Sequence, residues 1–172
     1  MASVVHAGGG VTPLAMAKLV AFVVPAGLLA AAYGFQYIGK LPPCELCWYQ
    51  RYAHMAGLAF AIVALFAGRL PDRGRAFVWL AALGILASGL IGGYHAGVEM
   101  KIFEGFTQCT SGIAGGTAED TLARIMAAPL IRCDQVPWSL FGISMAGWNA
   151  ILSIISALVV LWLSLKQPRT AR

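Results

Sequence analysis

The stretch Leu41-Pro42-Pro43-Cys44-Glu45-Leu46-Cys47-Trp48-Tyr49-Gln50-Arg51 places two cysteines three residues apart, ahead of an arginine. If a helix begins near Cys44, then Cys44, Cys47 and Arg51 lie on one face of it. Pro43 then occupies the first turn, where a missing N–H costs nothing. Helical side chains lean toward the N-terminus, so Arg51 reaches back toward the Cys47 sulfur. A helix N-terminus and a guanidinium both favour a thiolate, so the stretch predicts a redox-active thiol pair.

The chain around this stretch is strongly apolar. Of its 172 residues, 59% are hydrophobic and 11% are charged, whereas soluble domains carry roughly 25% charged residues. Four apolar stretches, each near the ~20 residues that a membrane helix needs, cover approximately residues 19–38, 49–67, 76–96 and 143–165. We predict an all-α fold, a single-domain four-helix transmembrane bundle over residues 1–172, with a long loop over residues 97–142.

The first apolar stretch has a competing interpretation as a cleaved signal peptide. Ala30-Ala31-Ala32 resembles a cleavage site. However, the apolar run continues to Ile38, which is too long for the hydrophobic region of a signal peptide. We therefore predict an uncleaved first span, preceded by a mobile tail over residues 1–18.

The distribution of lysine and arginine predicts the orientation in the membrane, because cytoplasmic loops carry an excess of these residues. One side carries seven of them: Lys18, Arg69, Arg73, Arg75, Lys166, Arg169 and Arg172. The other carries four, in longer loops: Lys40, Lys101, Arg124 and Arg132. Both termini are then cytoplasmic, and all four cysteines face the outer compartment, where disulfides persist. The net charge of +5 thus indicates topology and not nucleic-acid binding.

The long outer loop contains the other two cysteines. Cys109 lies in a Gly-rich segment that we expect to be flexible, and Cys133 lies near the end of the loop. Between them, Thr117-Ala118-Glu119-Asp120 resembles a capping box. It is followed by apolar residues at helical spacing, namely Leu122, Ile125, Met126 and Leu130. We predict a short amphipathic helix that lies on the membrane surface or, equally, packs onto the outer loops.

The four cysteines, Cys44, Cys47, Cys109 and Cys133, allow three disulfide pairings. A structural zinc site normally uses two close pairs, or one pair with nearby histidines. His54 and His95, like His6, are remote in sequence from the loop cysteines, so no metal ligand is predicted. Purely structural disulfides are a further alternative, although a bundle of this size needs none. A relay between two thiol pairs fits the arrangement better.

A dithiol relay needs an electron acceptor. Since the sequence has no haem, flavin or nucleotide motif, a lipid-soluble quinone is the simplest one. Arg51 is then predicted to bind a quinone carbonyl beside Cys47, with snorkelling to the headgroups as the alternative. His95 is a candidate to donate to the quinone or to move protons, or an interfacial histidine without a role. His54 is expected to be a packed polar residue, with a direct role in the site as the alternative. Glu99 is expected to be a solvated loop acid, with proton transfer as the alternative.

The chain resembles the DsbB family, the bacterial disulfide bond formation protein B. The resemblance runs from the first span to the last. It is carried by Pro43-Cys44-Glu45-Leu46-Cys47 with Gln50-Arg51, by His95 fourteen residues before Cys109, and by Cys133-Asp134, Pro137-Trp138, Leu140-Phe141-Gly142, Ser144-Met145 and Trp148-Asn149. The sequence departs from the best-known members at His54 and in its Gly-rich tail.

The resemblance implies a bacterial inner-membrane protein that reoxidises a periplasmic, DsbA-like thioredoxin-fold dithiol and reduces ubiquinone or menaquinone. It also implies roles for individual residues. Cys109 would form the mixed disulfide with the partner, and Cys133 would resolve it. Cys44 would exchange with the loop pair, Cys47 would face the quinone beside Arg51, and His95 would lie on the quinone side.

Two alternatives remain open from the sequence. One is a membrane scaffold or metal-binding protein whose cysteines are structural. The other is a protein like vitamin K epoxide reductase, which also joins thiol pairs to a quinone in a helix bundle. In that group the C-x-x-C usually follows the loop cysteines, whereas here it precedes them.

Overall fold

The fold is seen in a computed structural model that describes residues 12–104, 117, 119 and 132–166. Within these residues there are four long helices, α1 (Pro13–Tyr37), α2 (Glu45–Phe66), α3 (Arg75–Glu99) and α4 (Met145–Leu165). All four are long and apolar enough to cross a membrane. Helix α3 packs against α2 and α4, and α1 packs against the same two helices from the other side. The predicted all-α fold with four spans is confirmed.

Helix α1 begins earlier than predicted. Thr12 caps it by accepting a hydrogen bond from the Ala15 N–H at 3.2 Å, and Pro13 is the first helical residue. Residues 13–18, assigned to a mobile tail, are therefore helical. The charge of Lys18 seemed to end the apolar run, but the side chain lies against Gly74 in the turn between α2 and α3.

Helix α2 also begins earlier than the predicted boundary at residue 49. Cys44 is its N-cap, and Glu45 is its first residue. Pro43 consequently lies just before the helix, not in its first turn as predicted. The expectation that a helix begins near Cys44 is confirmed.

The turn between α2 and α3 makes them antiparallel neighbours, as expected from its length. A short 3₁₀ helix, Ala67–Arg69, leads into it. Gly74 precedes α3 with φ of 82°, a conformation that glycine adopts without strain. The Asp72 carboxylate accepts hydrogen bonds from the N–H groups of Ala76 and Gly74. These bonds lower the pKa of Asp72 and fix the start of α3.

A β-hairpin that the sequence analysis missed precedes α4. Strands β1 (Ser139–Leu140) and β2 (Ile143–Ser144) pair antiparallel. Both turn residues have positive φ, 53° at Phe141 and 77° at Gly142, as a type I′ turn requires. The fourth span thus begins at Met145 and not at residue 143, because Ser144 caps α4 by accepting from the Gly147 N–H at 3.1 Å. The apolar residues of the hairpin had been read as part of the span.

The two ends of the bundle differ in how they are packed. One end of the bundle lies near Thr12, Arg75 and Leu165, far from the start of α2 at Cys44, and we call it the opposite end. Its core consists of small apolar residues. They are Ala17, Ala21, Ala61, Ala64, Val78, Ala81, Ala82 and Val160. Toward the middle, a Cβ added at Gly84 would lie 2.8 Å from the Gly57 Cα. Small residues therefore let α2 and α3 approach closely, as is common between membrane helices.

The predicted amphipathic loop helix lies outside the described residues, apart from Thr117 and Glu119. Cys109 also lies outside them. The predicted anchor Trp138 is described, and its ring packs against Phe35 of α1 with 4.9 Å between centroids. The Trp148 indole donates to the Leu140 carbonyl at 3.2 Å. The hairpin is thus attached to both the first and the last helix.

Candidate functional site

Three cysteines meet where α2 begins. The Sγ atoms of Cys44 and Cys47 are 2.8 Å apart. The Sγ atoms of Cys44 and Cys133 and a ring nitrogen of His95 all lie within 4.8 Å of one another. Cys133 is fully buried and Cys44 is 7% exposed, whereas Cys47 is half-buried. We call these three cysteines the thiol cluster, and the end of the bundle that holds it the thiol end.

Cys44 occupies its place because it caps α2. The backbone N–H of Cys47 donates to the Cys44 Sγ at 3.3 Å, which satisfies one of the unpaired donors of the first turn. The C-x-x-C spacing therefore puts the second thiol one turn further along, beside the first. The pKa of the Cys44 thiol lies above its ordinary range, mainly because of hydrogen bonds with Cys133 and with Cys47 and, to a smaller extent, because of burial.

Cys133 is held over Cys44 by charged neighbours. Lys101, just after α3, donates to the Asp134 backbone oxygen at 3.0 Å and to its carboxylate at 2.5 Å. Arg132 donates to the same carboxylate through two nitrogens, at 2.7 and 2.9 Å. The bonds from Arg132, then those from Lys101, hold the pKa of Asp134 well below its usual value. This tether fixes the residue next to Cys133 to the end of α3.

His95 faces the thiol cluster from α3. Its Nε2 lies 3.6 Å from the Cys44 Sγ, and its ring also contacts the backbone of Cys133. The histidine that is remote from Cys133 in sequence is thus adjacent to it in space. Glu99, one turn later, has its Oε1 3.9 Å from the His95 Nε2, and its side chain is 3% exposed. The expectation of a solvated acid is wrong, because the last turn of α3 packs beneath the Cys133 segment.

Arg51 is buried on the other side of Cys47, at 6% exposure. Its guanidinium donates to the Gln36 side chain and, at 3.1 Å, to the Ala32 carbonyl, both on α1. The Tyr33 and Trp48 rings flank it, with centroids 4.8 and 5.0 Å away. The alternative of a snorkelling arginine is wrong. Both of these hydrogen bonds go to α1 and not to Cys47.

Sequence reasoning missed a buried polar network between α2, α3 and α4. The Gln50 Nε2 lies 2.9 Å from the His95 Nδ1, and Asn149 donates to the Gln50 Oε1 at 2.8 Å. The His54 Nε2 lies 2.8 Å from the Asn149 Oδ1, which confirms His54 as a packed polar residue. Asn149 also donates to the Ser88 hydroxyl and accepts a hydrogen bond from the Ser153 hydroxyl. The available signal was a series of polar residues inside apolar spans, where such residues are costly and usually functional.

The geometry bears on two kinds of bound group. Cys47, Arg51 and the flanking Tyr33 and Trp48 rings combine a half-buried thiol, a cation and aromatic faces, which suits a flat ring with carbonyl oxygens. The Sγ atoms of Cys44 and Cys133 and the His95 ring nitrogen are close enough for thiol exchange or for binding a thiophilic metal ion. The prediction that no residue binds a metal stays a prediction.

A family model described as disulfide bond formation protein DsbB matches residues 15–163. The chain belongs to the DsbB family. Disulfide bond formation protein B 2 of Pseudomonas aeruginosa is 33% identical over 139 residues, covering 77% of this chain and 80% of that protein. Disulfide bond formation protein B of Paracidovorax citrulli is 28% identical over 168 residues, covering 90% of each chain. An uncharacterised protein, RP370 of Rickettsia prowazekii, is 28% identical over 156 residues, covering 89% of this chain and 88% of that protein.

No solved structure matches the chain. Membership of the DsbB family, together with four helices able to span a membrane, makes this chain a multi-pass membrane protein of disulfide bond formation. The thiol cluster is the part of the described structure that suits such chemistry, since thiol exchange requires sulfurs in contact.

Proposed function

We propose that this DsbB family protein is a protein-dithiol:quinone oxidoreductase. It takes two electrons from a DsbA-like thioredoxin-fold dithiol and passes them through Cys109/Cys133 and Cys44/Cys47 to a membrane quinone. One observation carries the proposal: Cys133 contacts Cys44, which in turn contacts Cys47. Electrons therefore have a continuous path of sulfur atoms from the outer loop to the start of α2.

The first exchange involves the loop pair. A thiolate of the partner attacks Cys109 of the Cys109–Cys133 disulfide and releases the Cys133 thiolate. The second thiolate of the partner then attacks the mixed disulfide and releases Cys109. The partner leaves with a disulfide, and the loop pair holds its two electrons as a dithiol.

The second exchange uses the thiol cluster. The Cys133 thiolate attacks Cys44 of the Cys44–Cys47 disulfide and releases the Cys47 thiolate. Cys109 then attacks Cys133, which restores the loop disulfide and releases Cys44. The structure supports this step because the tether formed by Lys101, Arg132 and Asp134 keeps Cys133 at Cys44.

The last step returns Cys44 and Cys47 to a disulfide. A bound quinone, either ubiquinone or menaquinone, accepts two electrons and two protons and becomes the quinol. In this proposal Arg51 stabilises negative charge on Cys47 and on a quinone oxygen. The Gln36 hydrogen bond and the Tyr33 and Trp48 rings keep the guanidinium at this depth.

We further propose that the thiol end faces the periplasm across a bacterial inner membrane, with both termini cytoplasmic. Arg69, Arg73, Arg75 and Lys166 belong to the opposite end of the described bundle. An excess of such residues on that side favours the cytoplasm for it. Disulfide chemistry at the thiol end then takes place where disulfides persist.

Trapping the mixed disulfide tests the proposal. In Cys133→Ala, the Cys109 thiolate can attack Cys44 of the Cys44–Cys47 disulfide and release Cys47. The partner thiolate then attacks Cys109 and releases Cys44, and no second loop thiol is left to displace the partner. We expect this variant to accumulate a reductant-sensitive complex with a DsbA-like protein that lacks its own second cysteine, while Cys109→Ala does not. The reverse result would exchange the two loop roles. If neither variant traps the partner, the relay is wrong.

A structural metal site is the second candidate, favoured by the grouping of Cys44, His95 and Cys133 within 4.8 Å. Metal analysis of the purified protein, alongside dithiol-dependent reduction of both quinones, separates the two candidates. Stoichiometric metal without quinone reduction would support the metal site. Quinone reduction that is unchanged by a chelator would support the oxidoreductase.

A further inference from the structure

The buried polar network continues as an unbroken row of hydrogen bonds from the middle of the bundle to the thiol cluster. It runs from His54 to Asn149 at 2.8 Å, to Gln50 at 2.8 Å, to His95 at 2.9 Å, and to the Cys44 sulfur at 3.6 Å. Three helices contribute to it, since His54 and Gln50 are on α2, His95 is on α3 and Asn149 is on α4. The row connects the site to residues remote from it in sequence.

Two backbone carbonyls fix which way the amides point. The Gln50 Nε2 donates to the Leu46 carbonyl at 3.2 Å, so this atom must be the nitrogen. The Asn149 Nδ2 donates to the Ser88 carbonyl at 3.2 Å, so the Asn149 oxygen faces His54. Each amide therefore presents its oxygen toward His54 and its nitrogen toward the thiol cluster.

This order determines the tautomer of His95. Because the Gln50 nitrogen can only donate, the His95 Nδ1 must accept, and the ring carries its single hydrogen on Nε2. That N–H faces the Cys44 sulfur and the backbone of Cys133, with the Glu99 carboxyl 3.9 Å away. Cys44 already accepts the Cys47 N–H, so its sulfur receives two donors when it is ionised.

The His54 end of the row includes an energetically unfavourable buried polar atom. The Asn149 oxygen can only accept, so His54 donates through Nε2. Its Nδ1 is left buried with no hydrogen-bond partner among the described residues. Burying a polar atom in this way is unfavourable. The Asn149 oxygen also accepts a second hydrogen bond, from the Ser153 hydroxyl at 3.1 Å. Two donors thus converge on one amide oxygen, which holds that amide in a single orientation.

We propose that His54 and Asn149 are positioning residues that act through Gln50 to hold His95 as an Nε2–H donor to the Cys44 sulfur. The proposal rests on the proposed function, in which Cys44 is released as a thiolate when the Cys109–Cys133 disulfide re-forms. A hydrogen bond to that sulfur stabilises the leaving group. The alternative tautomer would present a lone pair to the thiolate and repel it.

The test is nitrogen NMR of the full chain, labelled with ¹⁵N-histidine, with Cys44 and Cys47 reduced. The three histidines are assigned with His6→Gln and His95→Gln, each of which removes its own signals. We expect the His95 Nε2 to show the shift of a protonated nitrogen and its Nδ1 that of an unprotonated one. The opposite pattern in the wild type would overturn the proposal.

Asn149→Asp is the decisive variant. A carboxylate cannot donate to the Gln50 oxygen, but it accepts from the Gln50 nitrogen, and such a charge-assisted bond is roughly twice as strong as a neutral one. Gln50 then turns its oxygen toward His95, and the hydrogen moves to Nδ1. Ser156→Ala is the control, because the Ser156 hydroxyl bonds the Leu152 carbonyl of its own helix. An unchanged His95 spectrum in Asn149→Asp would disprove the proposal.

A second variant guards against misfolding by the buried carboxylate. Gln50→Leu replaces the amide with an apolar side chain of similar size and removes the donor to His95. We expect a mixture of His95 tautomers and a roughly ten-fold slower transfer from the loop pair to Cys44, the effect of one lost hydrogen bond to a charged atom. The KM for quinone should not change, because in this proposal His95 donates to Cys44 and not to the quinone, and Arg51 lies outside the row. Slower transfer with an unchanged tautomer would make these residues merely structural and reject the proposal.

The two proposals fail in different ways. If the wild type reduces no quinone with any dithiol donor, the proposed function is wrong, whatever the His95 spectrum shows. If the wild type is active and the Asn149→Asp spectrum is that of the wild type, the proposed function survives and the positioning role does not. Activity and tautomer are measured on the same preparations.

Discussion

The thiol end and the opposite end of this bundle are held together by different forces. At the opposite end, alanine and valine side chains pack four helices without a buried acid or histidine among the described core residues. At the thiol end, His95, Gln50, Asn149 and Arg51 connect the same helices through hydrogen bonds. Hydrogen bonds fix directions, whereas packing of small residues fixes only distances. Among the described residues, the thiols and the buried hydrogen-bonded histidines therefore lie toward the thiol end, whereas the opposite end is held mainly by apolar packing.

The largest expected effect is the loss of a single sulfur atom at the thiol end. Cys47→Ala should abolish electron flow to quinone and leave disulfide exchange with the partner at the loop pair. The matched change at the opposite end is Ser164→Ala, which removes one oxygen atom that binds the Trp79 indole at 2.9 Å. We expect it to retain activity. Quinone reduction and partner oxidation, measured separately, check both, and residual quinone reduction by Cys47→Ala would contradict the relay.

The next effect separates Arg51 from Lys18, the two Lys or Arg residues that are buried in the described part of the chain. Arg51→Ala removes a charged hydrogen-bond donor from the site. We expect kcat/KM for quinone to fall roughly 10- to 150-fold, which corresponds to a loss of about 1.5–3 kcal/mol of transition-state stabilisation. Arg51→Lys should recover part of this, since lysine keeps the charge but not the planar fork.

Lys18→Met is the control for Arg51, because Lys18 is the buried cation of the opposite end. Steady-state kinetics with varied quinone should show no change in this variant. Equal losses in Arg51→Ala and Lys18→Met would mean that both residues act only on folding.

A third prediction sharpens the comparison through stability. Gly84→Ala puts a methyl group 2.8 Å from the Gly57 backbone, so α2 and α3 must move apart. We expect a loss of about 1–3 kcal/mol in the free energy of unfolding, seen as a lower Tm in detergent, with the kinetics of the folded fraction unchanged. Gly93→Ala in the same helix meets nothing within 4 Å and should not lower Tm, because alanine favours a helix more than glycine does. A Tm that is equal in the two variants would contradict close packing there.

The smallest effect compares two aspartates. Asp134 is paired with Arg132 and Lys101, and its pKa is lowered. It therefore stays ionised at about pH 4, where an ordinary aspartate is half protonated. Its contribution to stability is complete above that pH and is lost only as the pH falls further toward its own lowered pKa. The Tm difference between the wild type and Asp134→Asn should accordingly persist down to about pH 4.

Salt distinguishes Asp134 from Asp72, whose carboxylate binds backbone N–H groups. At about 1 M salt the Debye length falls to ~3 Å, so the effect of Asp134→Asn on Tm should shrink. The effect of Asp72→Asn should change less. Identical salt dependence would mean that the ion pairs at Asp134 contribute nothing.

The sequence predicted the four spans and the helix start at Cys44, because apolar length and C-x-x-C spacing are local signals. It missed the hairpin at residues 139–144, since Leu-Phe-Gly-Ile is apolar in either structure and only the positive φ angles mark the turn. It also placed Glu99 in solvent, because burial by the Cys133 segment depends on a contact between residues more than 30 positions apart. The adjacency of His95 and Cys133 was missed for the same reason.

The burial of Arg51 has a consequence for how the protein enters the membrane. A guanidinium in the second turn of α2 is energetically costly in lipid. Its hydrogen-bond acceptors, Gln36 and the Ala32 carbonyl, belong to α1. Helix α1 is synthesised first, so its acceptors are already in place when α2 emerges from the ribosome. Insertion of the first two helices as a paired hairpin, and not one after the other, therefore spares the arginine any exposure to hydrocarbon.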